Sequence, residues 1–270
     1  RINRRQRQMC IRDSMKTIQI PKGKKIYFTS DHHFGAPSKK ASKAREKKFV
    51  AWLDNIKKDA EVLFILGDLF DFWFEYKHVI PKGFTRVLGK LAELSDHGIE
   101  IHFFAGNHDM WMRNYFEEEF RIVVYNKPQE FELNGKIFLI GHGDGLGPHD
   151  KGYKRLKKVF SNPFFKWLYR WIHPDFGVLF AQYLSQKNKL ISGDNDLKFK
   201  GNESEWLTQY ARRKLEHRHY DYFLFGHRHL PLEVPLNQKS TYFNLGDWIT
   251  YFSYGVFDGK EFKLEKYNTD

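Results

Sequence analysis

The sequence holds a single cysteine, Cys10, so it can form no internal disulfide and no cluster of thiolates for a structural zinc. A secreted disulfide scaffold is excluded, and a reducing compartment is expected. No stretch approaches the roughly 18 consecutive apolar residues of a membrane-spanning helix. The Arg-rich start also lacks the apolar core of a secretory signal, which points to a soluble or peripheral cytoplasmic protein. Acidic residues are scarce in two places. Residues 1–25 carry nine basic side chains against Asp13 alone, net +8, and residues 151–173 carry seven with no acid, net +7. Together they exceed the overall +12, so the rest of the chain is slightly acidic and the basic excess is local. The acid-poor start also resembles a transit peptide; a flexible basic arm over residues 1–24 is the simpler reading. Apolar and aromatic residues are plentiful, 41% and 17%, enough for a large core and far from the composition of a disordered chain.

The 270 residues suit one α/β domain with a sizeable insertion. Lys25 to Ser30 and Val62 to Leu66 read as buried strands, and between them Phe49, Trp52, Leu53 and Ile56 recur at helical spacing, giving a β-α-β unit. Val87, Leu88, Leu91 and Leu94 repeat that stripe before Gly98, and Ile99 to Ala105 is the next strand. Ile137 to Ile140 follows a hairpin-type Asn134-Gly135 turn, and Tyr222 to Phe225 resumes the pattern. The segment 150–218 interrupts it with helices rich in Phe, Trp and Leu beside a Lys/Arg stripe. Pro163 and Pro174 should restart helices near Ser161/Asn162 and His173/Pro174. This predicts a core over residues 25–149 and 219–270 with a helical cap over 150–218, and a tail whose antiparallel strands close a second sheet.

Five polar motifs follow predicted strands: Asp31-His32-His33, Gly67-Asp68, Gly106-Asn107-His108-Asp109, Gly141-His142 and Gly226-His227-Arg228-His229. Ligands bind outside the carboxyl ends of strands in α/β sheets, so these residues should converge. Carboxylates, an amide and imidazoles without thiolate suit Mn²⁺, Fe or Zn²⁺, and are numerous enough for two ions. Singly each motif is weak. As an ordered set they resemble the calcineurin-like metallophosphoesterase family over nearly all of residues 26 to 250. The resemblance implies a β-sandwich flanked by helices. It matches Asp31, His33, Asp68 and His229 to ligands of a first metal, and Asp68, Asn107, His142 and His227 to those of a second, with Asp68 bridging. It also matches His108 to a non-ligand histidine that stabilises the phosphoryl group or protonates the leaving oxygen, and Asp71 to the carboxylate orienting it. Asp109 is expected to fix its loop and His32 to point away from the metals.

Within that family the run after His142, Gly-Asp-Gly-Leu-Gly-Pro-His149-Asp150-Lys-Gly-Tyr153, resembles the UDP-2,3-diacylglucosamine hydrolases of bacterial lipid A synthesis. So do Asp68-Leu-Phe-Asp71-Phe-Trp and Leu245-Gly246-Asp247-Trp248. This implies cleavage of a lipid-linked sugar nucleotide with two divalent ions, Mn²⁺ first among them, and Asn107, Asp150 and Tyr153 match substrate contacts; Lys187 and Lys189 are further candidates. That branch carries Asn-Arg-Asp where this chain has Asn107-His108-Asp109. An apolar cap with a basic stripe fits a diacyl lipid and an anionic surface, so peripheral residence on the inner face of a bacterial inner membrane is expected. The competing reading is a metal-dependent phosphodiesterase or nuclease acting on nucleotides or nucleic acid. It ranks second because apolar and basic stripes share one insertion, so nucleic acid is an unexpected partner. No obligate protein partner is inferred.

Overall fold

Six strands, β2 (Lys25–Thr29), β3 (Ala60–Ile65), β4 (Glu100–Phe104), β5 (Val123–Tyr125), β11 (Ser253–Phe257) and β12 (Phe262–Lys266), form one sheet in the order β12-β11-β2-β3-β4-β5. A second sheet runs β1-β6-β7-β8-β10-β9, built from β1 (Lys16–Ile18), β6 (Gln129–Leu133), β7 (Lys136–Ile140), β8 (Tyr222–Phe225), β9 (Pro231–Asn237) and β10 (Ser240–Leu245). This computed structural model describes residues 15–147, 151–181, 201 and 205–268.

Side-chain alternation along the strands explains the layering. Ile26, Phe28, Val62, Phe64 and Phe104 face the other sheet and meet Phe131, Phe138, Leu224 and Phe243 in a dry aromatic interior. The intervening Tyr27, Leu63, Ile65 and Phe103 face outward onto helices α1 (Lys39–Ile56), α2 (Thr85–Asp96) and α3 (Tyr115–Phe120). The predicted stripe Phe49, Trp52, Leu53 and Ile56 is the buried face of α1, which starts at Lys39 because the Ser38 side chain accepts from the Ala41 amide. Asn134 and Gly135 both take positive φ, as the hairpin between β6 and β7 requires.

Strands β2 to β5 pair in parallel, as do β7, β8 and β10, so the chain leaves both sheets toward one common edge at the ends of β2, β3, β4, β7 and β8. The fold is therefore mixed α/β, a two-sheet sandwich flanked by helices.

Three sequence expectations need correction. The arm does not extend to residue 24, because Lys16–Ile18 pairs in parallel with β6 and buries Ile18. The helix α7 (Trp206–Leu215) is not cap. Its Leu207 and Ala211 are fully buried against Phe223, Phe225 and Tyr242 on the outer face of the second sheet. The tail does not close one sheet: β9 and β10 extend the sheet of β8, whereas β11 and β12 join β2. Sheet choice depends on where the chain crosses the sandwich, which strand patterning does not encode.

Within the insertion the described helices are α4 (Lys151–Ser161), α5 (Pro163–Tyr169) and α6 (174–181). The breaks fall at the prolines: Asn162 caps α5 through the Phe164 amide with Pro163 in the first turn, and α6 opens at Pro174.

Candidate metal centre

Each strand that reaches the common edge ends in a tight turn, and the turns share an unusual backbone. Asp31, His33, Asp68, His227 and His229 all lie in the left-handed region, with φ of 55°, 46°, 51°, 69° and 52°. For a residue with a Cβ this costs about 1–2 kcal/mol each. Such strain persists only where the surroundings over-determine it, as at binding sites. Here the His32 and His33 amides both donate to the Asp68 carbonyl at 2.9 Å, the His227 amide donates to Asp31 Oδ2 at 2.9 Å, and the His108 amide donates to Asp68 Oδ1 at 2.8 Å. Two glycines are dictated by closeness. A Cβ on Gly67 would stand 2.6 Å from His142 Nδ1, and one on Gly226 would overlap Ser30 Oγ and Asp31 Oδ2.

The donor atoms converge in two overlapping groups. His33 Nε2 and His229 Nε2 stand 3.1 Å apart, with Asp31 Oδ1 3.4 Å from the latter and 3.9 Å from the former. Asp68 Oδ2 lies 3.6 Å from His33 Nε2 and 3.4 Å from His142 Nε2, which is 3.2 Å from Asn107 Oδ1. Ligand atoms of Asp68, His142 and His227 also cluster within 4.8 Å. All seven sequence-predicted ligands are thus brought together, and Asp68 belongs to both groups. Asp31 Oδ1 is buried without a hydrogen-bond donor. A buried carboxylate oxygen without a donor and imidazole nitrogens turned toward one another are unfavourable by themselves and complementary to a cation. The arrangement is that of a divalent-metal site. Its electrostatics agree. Burial opposes ionisation of Asp68, yet His142, His108 and His33 hold it well below the usual carboxylate range. Against its own burial, the Asp68 carboxylate pushes His142 up to about 10, so protons and metal compete for one pocket.

The far ring nitrogens are also engaged. His33 Nδ1 is 3.3 Å from Asp71 Oδ1, His229 Nδ1 is 3.3 Å from Asp247 Oδ2, and His142 Nδ1 is 2.7 Å from the Leu66 carbonyl. Acceptors at Nδ1 fix the tautomer that presents a bare Nε2. Asp71 therefore stands closer to His33 than the sequence reading anticipates. Its carboxylate is 3.8 Å from His108 Nδ1, which instead bonds the Asp71 main-chain carbonyl at 2.9 Å. His108 stacks edge-on to His33 and is partly open to the crevice. His32 points away, as expected: its Nε2 meets Thr29 Oγ1 at 2.9 Å and its ring packs on Phe49 and Trp248. Asp109 fixes its loop by accepting from the Leu69 and Gly106 amides.

Sequence reasoning assigned no role to Asp247 or to Asp144. Asp247 follows β10 as the other motifs follow their strands, and that position was its available signal. Asp144, buried two residues after His142, pairs with Lys157 of α4 at 2.5 Å and so ties the insertion to the metal loop. A second tie joins Trp111, whose indole donates to the Phe160 carbonyl at 2.8 Å, to Tyr169 and Phe74. Asp150, Lys187, Lys189 and the side chain of Tyr153 lie outside the described residues.

Similarity to known proteins agrees with this geometry. The calcineurin-like phosphoesterase family matches residues 24–231. The UDP-2,3-diacylglucosamine hydrolase of Porphyromonas gingivalis is 41% identical over 255 residues, which span 89% of this chain and 97% of that protein. The proteins of the same name from Photorhabdus laumondii and Tolumonas auensis are 31% identical (70% of this chain, 78% of the relative) and 26% identical (80% and 87%). Strand-end carboxylates and imidazoles gathered at one edge of a two-sheet sandwich, together with these matches, place the chain in the calcineurin-like phosphoesterase family.

Proposed function

We propose that this protein hydrolyses the pyrophosphate of UDP-2,3-diacylglucosamine, releasing UMP and 2,3-diacylglucosamine 1-phosphate. The observation that carries the reading is the position of the insertion. Its helices are pinned at Asp144 and Trp111, close to the metal loops, and the insertion exposes several large apolar side chains. Trp171, Phe176, Leu179, Phe164 and Trp167 are 74%, 71%, 65%, 59% and 51% exposed. Lys154, Arg155, Lys158, Lys166 and Arg170 share the same helices. Large apolar side chains exposed in this number support a binding face, and cationic groups beside them suit a diacylated pyrophosphate.

Asp31, His33, Asp68 and His229 would hold one divalent ion, and Asp68, Asn107, His142 and His227 the other; the donor set suits Mn²⁺, with Fe or Zn²⁺ compatible. Two such ions supply positive charge that polarises phosphoryl oxygens and acidifies water at neutral pH. The protein's own part is positioning and proton transfer. Asp71, Asp247 and the Leu66 carbonyl orient the imidazoles. His108, with Nδ1 engaged by the Asp71 carbonyl and its side chain partly exposed, is the residue we assign to donate from its other ring nitrogen to a phosphoryl oxygen or to the departing UMP or sugar phosphate oxygen. This replaces the guanidinium contact available where arginine stands. Residues 25–149 and 219–270, with α7, act as the catalytic body, and the helices from residue 151 act as the lipid-binding cap.

The same exposed aromatic and basic surface supports residence on an anionic bilayer, which we read as the inner face of a bacterial inner membrane. About 1 kcal/mol per basic residue near such a surface suffices for a few to matter. No helix among the described residues is long and apolar enough to cross a membrane. The test is UMP release from UDP-2,3-diacylglucosamine by Mn²⁺-reconstituted protein, with Asp68→Ala as blank and bis-p-nitrophenyl phosphate as a generic diester. Turnover of the generic diester alone would reject the lipid substrate while keeping the phosphoesterase chemistry.

A further inference from the structure

Arg45 occupies a position where a charge is unexpected. It lies on the stripe of α1 that continues through Phe49, Trp52 and Ile56 into the core, and it is only 7% exposed. A buried guanidinium needs partners, and those of Arg45 all belong to the floor of the metal centre. One terminal nitrogen, Nη2, donates to the His33 carbonyl at 2.8 Å and to the Ala36 carbonyl at 2.5 Å. Asp247 and Asp71 are the carboxylates that favour its charge against the cost of burial. These are the two groups that engage Nδ1 of His229 and His33.

We infer that Arg45 is a positioning residue for the metal group formed by Asp31, His33 and His229, acting from behind the site through the His33 main chain. Two physical effects converge on that group. The bond to the His33 carbonyl pins a residue held at φ 46°, in a turn that would otherwise relax toward an ordinary conformation. The guanidinium also offsets part of the negative charge that Asp71 and Asp247 bring into the buried space behind His33 and His229. Neither effect reaches the Asn107, His142 and His227 side directly, because His142 is oriented by the Leu66 carbonyl instead. The influence of Arg45 is therefore selective for one metal position.

The inference rests on the two-ion reading, and the experiment separates the two. Metal-free full-length protein, Arg45→Met and Arg45→Lys are titrated with Mn²⁺ by isothermal calorimetry, with thermal unfolding of each recorded in the absence of metal. Two equivalents bound by the parent uphold the two-ion reading; one equivalent or none rejects that reading, and the selectivity inference with it. For Arg45→Met the expected result is one ion bound as in the parent and the other weakened at least tenfold. Arg45→Lys keeps the charge on a shorter donor and should recover part of that loss. A merely structural role would lower the unfolding temperature and weaken both ions alike. Equal weakening at both positions, or two parent-like affinities in a folded Arg45→Met, overturns the inference. Should Arg45→Met not fold, Arg45→Lys decides by the same criterion: selective weakening of one ion supports the inference, and parent-like or uniformly altered binding rejects it.

Discussion

Asp247→Asn isolates the orienting role of a carboxylate from its role in the fold. Asp247 is bifunctional: Oδ1 accepts the Ile249, Thr250 and Tyr251 amides at 3.2, 2.8 and 3.0 Å, and Oδ2 stands 3.3 Å from His229 Nδ1. An asparagine has one oxygen and one NH₂, so it can satisfy only one of these faces. If its oxygen keeps the three amides, the NH₂ confronts His229 Nδ1 and disfavours the tautomer with a bare Nε2. If it flips, the NH₂ faces three donors, which costs more. The first orientation wins, and the fold survives with a loss of about 1 kcal/mol, since charged acceptors bind amides more strongly than neutral ones. Removing such an orienting partner weakens metal binding about 10–100-fold, roughly 1.4–2.7 kcal/mol. The assay is Mn²⁺ titration of the metal-free variant alongside its urea unfolding curve. Affinity within threefold of the parent at both metal positions, in a folded protein, would refute the tautomer argument.

Other expectations follow from the same geometry. Asp68→Ala should abolish high-affinity metal binding and turnover together, because its Oδ2 faces both donor groups, whereas His108→Ala should lower kcat about 10²–10⁴-fold with two ions retained; equal metal loss would remove His108 from the role assigned to it. Gly226→Ala should destabilise the fold by about 1–3 kcal/mol in urea unfolding, since its methyl group would collide with the buried Ser30 and Asp31 side chains. Trp171→Ala should reduce cosedimentation with anionic liposomes about tenfold or more, given about 2 kcal/mol for embedding one large aromatic side chain, while leaving hydrolysis of a soluble diester unchanged. The pH dependence of stability should carry an acid limb from Glu100, which the side chain of His102, aided by Lys16, holds at about 2 against an ordinary 4.5. A depressed carboxylate stabilises above its unfolded pKa and loses that contribution as pH falls from about 4.5 to 2. Glu100→Gln should flatten chemical denaturation midpoints across that window, and an unchanged slope would dismiss the pairing.

By itself the sequence determined everything that depends on short-range chemistry. The α1 and α2 stripes, the buried strands and the Asn134-Gly135 hairpin follow from periodicity and turn preference, which act over a few residues. The ligand motifs were legible for the same reason, because a carboxylate or imidazole directly after an apolar strand is a local pattern. Even the helix breaks at Pro163 and Pro174 are written in one residue and its neighbour. What tertiary structure alone decided depends on partners distant in the chain. A strand as short as Lys16–Ile18 has too little pattern to announce itself and exists because β6 offers an edge. Helix α7 carries a basic surface like the cap, and only the pocket formed by Phe223, Phe225 and Tyr242 draws its Leu207 and Ala211 onto the sheet. Asp247 and Arg45 look like an ordinary turn acid and an ordinary helix base until folding places them behind His229 and His33. A charge acquires its function from what surrounds it once water is removed, and that surrounding is assembled from segments far apart in the chain.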